Sequence, residues 1–201
     1  MKKMDIVFLL DRSGSMGGME SDTIGGYNSY LENQKKNDVN ITTILFDHEF
    51  EILHNRVPNK KVSPLTEKEY FVRGCTALYD ALGKSIHLME DSKPEKVMFV
   101  ITTDGLENAS KEFTKDQIKE MIQGHSDWEF LYVGANIDSY KEGSSIGIQK
   151  KNIANYKKDK KGMNMLFRSL SSATSSFYES ESIMDDWKSD LEDYIKENKK
   201  D

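Results

Sequence analysis

The sequence predicts an α/β fold with a doubly wound, mostly parallel sheet and helices on both faces. Unbroken apolar runs at residues 6–10 and 97–101 are bounded by polar residues, as in strands that are buried on both faces. Segments with helical periodicity alternate with these runs, which is typical of βαβ units. Polar residues follow each run, at the end of the strand where open α/β sheets bind ligands. Together these features predict a Rossmann-like architecture.

The first half of the chain predicts a strand, a helix and a hairpin. After the strand at 6–10, apolar residues recur at helical spacing within residues 20–36, so we expect a helix there. Residues 39–45 alternate between apolar and more polar side chains, and a second β-like run at 50–57 follows after a short link. Such a hairpin adds one antiparallel strand, which we expect at an edge of the sheet.

The second half continues the alternation of helices and strands. A helix is predicted to begin close to Thr76, and the strand at 97–101 follows it. Thr114 opens a capping-box pattern, which predicts the start of the next helix. The remaining predicted elements are a strand at 128–133, a short helix capped by Asp138, a short strand at 152–154 and a long helix over 163–177.

Residues 179–201 form a predicted acidic, amphipathic helical extension of a single domain that spans residues 1–178. The extension carries nine Asp or Glu and four Lys, a net charge of −5, whereas residues 150–161 carry six Lys and one Asp, a net charge of +5. We expect the extension to dock on its own domain, because an exposed stripe that includes Trp187 would promote association. We expect the lysine run to be a solvated loop.

Composition predicts a protein of the reducing cytoplasm. The 201 residues carry a formal net charge of −6, which disfavours nucleic acid as a partner because phosphate contacts need clustered cations. The single cysteine, Cys75, excludes an intramolecular disulfide, and we expect its thiol to be buried and inert. No signal-peptide pattern precedes the first strand, and no apolar run approaches the ~20 residues that span a bilayer. We therefore expect a cytoplasmic protein without a membrane partner.

Three separated groups of oxygen-bearing side chains predict a site for a hard cation. Asp11, Ser13 and Ser15 follow the first strand at alternate positions. Thr76 lies at a helix entrance, and Asp104 follows the second unbroken apolar run. Two carboxylates and three hydroxyls nearly neutralise a divalent cation without saturating its coordination, so the ion can accept one more carboxylate from outside. Mg²⁺ is the expected ion, with Mn²⁺ and Ca²⁺ as alternatives.

The arrangement resembles the metal-ion-dependent adhesion site (MIDAS) of the von Willebrand factor A (vWA) family, over about residues 4–178. The matching motifs are Asp11-Arg-Ser13-Gly-Ser15, then Thr76 within Gly74-Cys-Thr-Ala, then Thr103-Asp104-Gly105. The resemblance implies that the serines and the threonine ligate the metal through their hydroxyls. It also implies that the two aspartates act directly or through water. The chain departs from the pattern at Cys75, where relatives often carry glycine.

Five further residues are candidates for the rim of the site, because they adjoin the motifs or follow other strand ends. They are Gly14, Gly105, Asn108, Asn136 and Asp47. For the two asparagines and for Asp47, a capping or turn role is the alternative interpretation.

The predicted site favours a binding module over an enzyme. The bound Mg²⁺ would be completed by an Asp or Glu side chain of a protein partner, and the oligomeric state stays open. A metal-dependent hydrolase of phosphoesters is one alternative, although the sequence shows no general base with a supporting group. A nucleic-acid binder that uses the lysines of residues 150–161 is the other.

Overall fold

The strands form one six-stranded sheet in the order β3-β2-β1-β4-β5-β6. The computed structural model describes residues 3–135 and 137–198. The strands are β1 (Met4–Asp11), β2 (Val39–Phe46), β3 (Phe50–Pro58), β4 (Lys96–Thr103), β5 (Glu129–Gly134) and β6 (Ile153–Asn155). The helices are α1 (Glu20–Gln34), α2 (Leu78–Ser92), α3 (Lys115–Gly124), α4 (Ser139–Ser145), α5 (Lys160–Ser180) and α6 (Ser189–Glu197). No helix in the described ranges is both long enough and apolar enough to span a membrane.

Strand pairing confirms the predicted fold class. All neighbouring strands pair in parallel except β2 and β3, whose antiparallel hairpin places β3 at one edge. Strands β1 and β4 lie at the centre of the sheet, with β2 and β3 on one side of them and β5 and β6 on the other. The carboxyl ends of β1 and β4 are therefore the topological switch point, where open α/β sheets bind their ligands.

The central strand β1 buries side chains on both faces of the sheet. Its even-numbered residues, such as Phe8, pack into a core that includes residues of α1 and α5. Val7 and Leu9 pack into a second core with residues of α2 and α3. Because helices cover both faces, the strand has an unbroken apolar sequence without a polar alternation.

Local hydrogen bonds explain where three of the helices begin. Thr114 and Gln117 form the predicted capping box at the start of α3, and Asp138 caps α4 by accepting from the Lys141 N–H at 3.1 Å. Helix α2 begins at Leu78, two residues later than Thr76. The later start has a physical reason, because the backbone N–H and carbonyl of Thr76 are both bonded to the loop after β4.

Other element boundaries differ from the prediction by a few residues. Helix α1 ends at Gln34 rather than at residue 36, and β6 begins at Ile153 because Asn152 closes a 3₁₀ turn. Helix α5 continues to Ser180, beyond the expected domain boundary at residue 178. The division into a domain and an extension therefore stays a prediction.

The described part of the extension docks on the domain, but only its second half is helical. Trp187 precedes α6, is 4% exposed, and its indole N–H donates to the Lys151 carbonyl at 2.9 Å. The Lys188 ammonium donates to the carbonyl of Ile153 at 2.7 Å. These contacts occupy backbone acceptors next to the edge strand β6, which is a surface that proteins commonly cover.

Candidate metal centre

The candidate site lies at the switch point and is built from three loops. The loop after β1 carries Ser13 and Ser15, and the loop after β4 carries Asp104. The Gly14 N–H donates to the Gly74 carbonyl at 3.1 Å, which joins the first loop to the loop that precedes α2. That backbone bond brings the threonine motif next to the serine motif, as the sequence predicts.

Three hydroxyl oxygens converge on the space beside Gly105. A Cβ atom built on Gly105 would lie 2.8 Å from Oγ1 of Thr76 and 2.9 Å from Oγ of Ser15. It would lie 3.7 Å from Oγ of Ser13, and the two serine oxygens are 3.0 Å apart. A side chain at residue 105 would collide with two of these hydroxyls, so glycine allows their close approach to the backbone. The structure therefore gathers the three predicted hydroxyl donors around one point.

The carboxylate of Asp11 is buried next to these hydroxyls. Its Oδ1 accepts the Ser13 N–H at 2.7 Å, and its Oδ2 accepts the Thr103 hydroxyl at 2.6 Å. Burial raises the pKa of Asp11 to about 6 despite these hydrogen bonds, and the nearby charge of Asp104 contributes in the same direction. The carboxylate orients the serine loop and supplies negative charge inside the site.

The carboxylate of Asp104 is buried without a regular hydrogen bond from the described residues. Its side chain is 1% exposed, yet neither carboxylate oxygen accepts a hydrogen bond of regular geometry from any described residue. Burial, followed by the charges of Asp104 and Asp11, raises the pKa of the neighbouring Tyr156 phenol. Buried carboxylates are normally paired with a cationic side chain or coordinated to a metal ion, so we expect a cation next to Asp104.

One lysine of the basic run supplies positive charge at this position. The Lys158 ammonium lies 2.8 Å from Oδ2 of Asp104 and also donates to the backbone carbonyl of Ser15. Lys157 and Lys161 instead lie over the ring of Tyr194, at 5.7 and 4.4 Å from its centroid. The expectation of a solvated lysine run therefore fails at Lys158, whereas the other five lysines are exposed. No periodic or motif signal separates Lys158 from its neighbours in the sequence.

The loop after β4 holds the threonine in position. Asn108 accepts the Thr76 N–H through its side-chain oxygen and donates its own backbone N–H to the Thr76 carbonyl, both at 3.0 Å. Asn108 thus fixes the backbone of a candidate ligand, and its side-chain oxygen is engaged in doing so. Among the rim candidates, Asn108 and the two glycines Gly14 and Gly105 lie at the site.

Asp47 has a different role from the one expected at the rim. Its Oδ2 accepts from Nε of Arg12 at 2.9 Å and from Nε of Arg73 at 2.8 Å. Burial acts to raise the pKa of Asp47, but hydrogen bonds from Arg73, Arg12 and the Glu49 N–H, together with the charge of Arg12, outweigh it and lower the pKa. The Asp47 carbonyl accepts the Ala77 N–H, so this cluster supports the threonine loop from behind.

Two further predictions have different outcomes. Asn136 lies outside the described residues. Cys75 is exposed, so the expectation of a buried thiol is wrong. Cys75 lies in the loop before α2, and the adjacent Gly74 adopts a left-handed conformation (φ 66°) in which a Cβ would collide with the His48 ring.

Sequence reasoning missed two groups that shape the site. Thr103 lies inside the third motif, and its hydroxyl binds the first aspartate across the β1–β4 pair. The Tyr70 hydroxyl donates to the Asp11 carbonyl at 2.6 Å from a loop that has no motif of its own. The first could have been found from the parallel pairing of the two strands, whereas the second needs tertiary structure.

The donor set suits a hard divalent cation. Among the described residues, no three His, Cys, Asp or Glu side chains form a group that could hold a metal. The candidate centre instead combines two carboxylates with three hydroxyls, which is an all-oxygen set that fits Mg²⁺ or Mn²⁺ better than Zn²⁺. Two structural features fit such an ion: the three hydroxyls that converge at Gly105, and the buried Asp104 carboxylate, which pairs with Lys158 but accepts no regular hydrogen bond from a described residue.

Comparison with solved structures identifies the fold. The von Willebrand factor domain of the type V pilus tip protein Mfa5 from Porphyromonas gingivalis matches with a TM-score of 0.70 and 10% identity, covering 92% of this chain and 99% of that chain. The chain has a vWA fold. Manganese-loaded TRAP from Plasmodium vivax matches with a TM-score of 0.61 and 18% identity, covering 78% of this chain and 69% of that chain. The pilus adhesin SpaC from Lactobacillus rhamnosus GG matches with a TM-score of 0.66 and 14% identity, covering 85% of this chain and 30% of that chain.

Several of the matched structures are longer than this chain, which covers only part of each of them. The chain spans 45% of proximal thread matrix protein 1 from the mussel byssus, which it matches with a TM-score of 0.63 and 13% identity. No protein-family model matches the sequence, and neither does any curated protein. At these identities the likeness establishes the vWA fold, and the function has to be argued from the residues of the site.

Proposed function

We propose that the chain is a metal-dependent protein-binding module. In this proposal Asp11, Ser13, Ser15, Thr76 and Asp104 hold one Mg²⁺ ion at the switch point of the sheet. The observation that carries it is the convergence of three hydroxyls beside Gly105, in the loop that also holds the buried Asp104 carboxylate, whose partner among the described residues is the Lys158 ammonium. When bound, the ion supplies a Lewis-acidic position for a carboxylate of the partner.

The protein's own groups have separate tasks in this proposal. The hydroxyls of Ser13, Ser15 and Thr76 supply neutral oxygens, which leave the ion electrophilic. Asp11 orients the serine loop through the Ser13 N–H, and Asn108 orients Thr76. The partner would contribute an Asp or Glu side chain from the solvent side, where Ser15 is exposed.

Known proteins with this fold support a binding role. Two structural neighbours are a pilus tip protein and a pilus adhesin, and a third is a manganese-loaded protein. Among the described residues, no histidine hydrogen-bonds or pairs with the site, so the commonest general base is not in place for the hydrolase alternative. The single cysteine leads us to propose the cytoplasm as the compartment.

Magnesium is expected to stabilise the parent protein but not the Asp104→Ala variant. An ion that binds only the folded state at about 100 times its Kd adds ~2.7 kcal/mol to the free energy of unfolding. For a chain of this size, that corresponds to a rise in melting temperature of roughly 5–10 °C over a sample in chelator. Thermal melts with Mg²⁺, Mn²⁺ or Ca²⁺ against chelator measure the shift.

Asp91→Ala is the matched control, because Asp91 is an exposed carboxylate on α2, away from the three loops, and should keep the full shift. A parent protein whose melting temperature ignores all three ions would contradict the metal site. Turnover of a generic phosphoester that disappears in Asp104→Ala would instead favour the hydrolase.

The partner's carboxylate is tested on a complex rather than on the free module. A protein captured in Mg²⁺, released by chelator and not retained by Asp104→Ala would be mapped by changing its exposed acids to amides. The proposal expects one Asp→Asn or Glu→Gln change in the partner to abolish retention. Retention that survives in chelator would argue for a metal-independent contact.

A further inference from the structure

The ion pair between Lys158 and Asp104 places a cation of the protein itself against a candidate metal ligand. The Lys158 side chain is 20% exposed, whereas the Asp104 side chain is 1% exposed, so the ammonium reaches into the site from its edge. Its second partner is the Ser15 backbone carbonyl. One head group therefore connects the serine loop with the loop after β4.

The ammonium does not occupy the space between the hydroxyls. Its partners among the described residues are a carboxylate oxygen and a backbone carbonyl, and they include none of the hydroxyls of Ser13, Ser15 or Thr76. The three atoms nearest to a Cβ on Gly105 are the three hydroxyl oxygens, and the Lys158 ammonium is not among them. A divalent ion and the lysine would nevertheless share the charge of Asp104, and the two cations would repel each other at short range.

The chain on either side of Lys158 is anchored, so only its side chain needs to move. Tyr156 is 3% exposed, and Asp159 accepts from the Gly162 N–H at 2.7 Å and from the Tyr194 hydroxyl at 3.1 Å. A lysine head group sits on a flexible four-carbon stem, which can swing to solvent without a change in the backbone.

We propose that Lys158 is a tethered counter-cation that competes with the divalent ion for Asp104 and so sets the metal concentration at which the module becomes competent to bind. This inference rests on the proposed function, because it assumes that Asp104 faces the ion. Without metal, the ammonium neutralises the buried carboxylate. With metal, Asp104 turns its charge to the ion and Lys158 is released towards solvent.

The test compares Lys158→Met with the parent protein in Mn²⁺ titrations that follow the electron paramagnetic resonance signal of free Mn²⁺. Methionine keeps an unbranched side chain and removes the charge. We expect the Mn²⁺ affinity to rise roughly tenfold, equivalent to ~1.4 kcal/mol. Lys157→Met is the control, because Lys157 is exposed and its ammonium interacts with Asn198 and Asp159 outside the site.

A second readout separates competition from a merely structural role. Metal-free Lys158→Met should melt below the metal-free parent, because the buried carboxylate of Asp104 loses its cation. The same variant should show the larger stabilisation by Mn²⁺. A structural lysine would lower the melting temperature without tightening metal binding.

The outcomes distinguish this inference from the proposed function. Unchanged or weaker Mn²⁺ affinity in Lys158→Met, with normal binding by the parent, would overturn the competition and leave the metal site intact. If Lys158→Met binds Mn²⁺ and the parent protein does not, the result would support the competition. Failure of both proteins to bind would overturn the two proposals together.

Discussion

Gly105→Ala is expected to abolish metal binding while leaving the metal-free protein folded. The new methyl group would lie 2.8 and 2.9 Å from the hydroxyl oxygens of Thr76 and Ser15, closer than carbon and oxygen approach without displacement. Both oxygens are at the ends of rotatable side chains, so they can turn away at little cost to the fold. The coordination geometry is lost by that same rotation.

The expected loss of Mg²⁺ affinity is at least roughly 100-fold, because changes outside the ligand set already cost about 10–100-fold. Isothermal titration with Mg²⁺ measures the affinity, and metal-free melts check the fold. Gly25→Ala is the matched control, since a Cβ at Gly25 on α1 meets no atom within 4 Å. Normal Mg²⁺ binding by Gly105→Ala would show that the ion, if bound, does not sit among the three hydroxyls.

Arg12→Met is expected to have the largest effect on stability. Arg12 is 1% exposed, and its Nε donates to Asp47, whose side chain is fully buried. Its Nη1 also donates to Glu51 at 2.7 Å and to the Glu69 carbonyl at 3.3 Å. Removing one partner of a buried ion pair leaves an uncompensated charge and costs about 3–5 kcal/mol.

Urea denaturation of the metal-free protein measures this loss in the free energy of unfolding. Lys35→Met serves as the control, because Lys35 pairs with Glu32 on the surface, where both side chains are about half exposed or more. That change should stay within ~1 kcal/mol. A loss below ~1 kcal/mol for Arg12→Met would indicate that Arg73 alone satisfies Asp47.

The fold was predictable because its central strands are buried on both faces. The runs in β1 and β4 have no polar alternation, and the short link before β3 leaves only a hairpin, so both the parallel core and the antiparallel edge follow from sequence. The predicted boundaries of the helices and strands were less accurate. Hydrogen bonds from Asn108 delay the start of α2, and no local pattern around Thr76 shows a partner 32 residues away.

The candidate site was predictable where its residues form motifs and was missed where they do not. The hydroxyls of Ser13, Ser15 and Thr76 meet beside Gly105, and the two motif aspartates lie at adjacent strand ends because the parallel strands β1 and β4 end at one edge of the sheet. Lys158 reaches the site from a loop more than 50 residues beyond Asp104, and only the packing of α5 and α6 places it there. Asp47, like Asp104, follows the end of a strand, but its carboxylate forms ion pairs with Arg12 and Arg73.

The most direct test of the metal site is a crystal structure of the protein with Mn²⁺, with data collected for anomalous scattering from manganese. The account predicts one anomalous peak among the hydroxyls of Ser13, Ser15 and Thr76, at about 2.0–2.6 Å from their oxygens, the range of hard cation–oxygen bonds. It also predicts that the Lys158 ammonium has left Asp104. Saturating Mn²⁺ with no peak there, and with the ammonium still on Asp104, would contradict it.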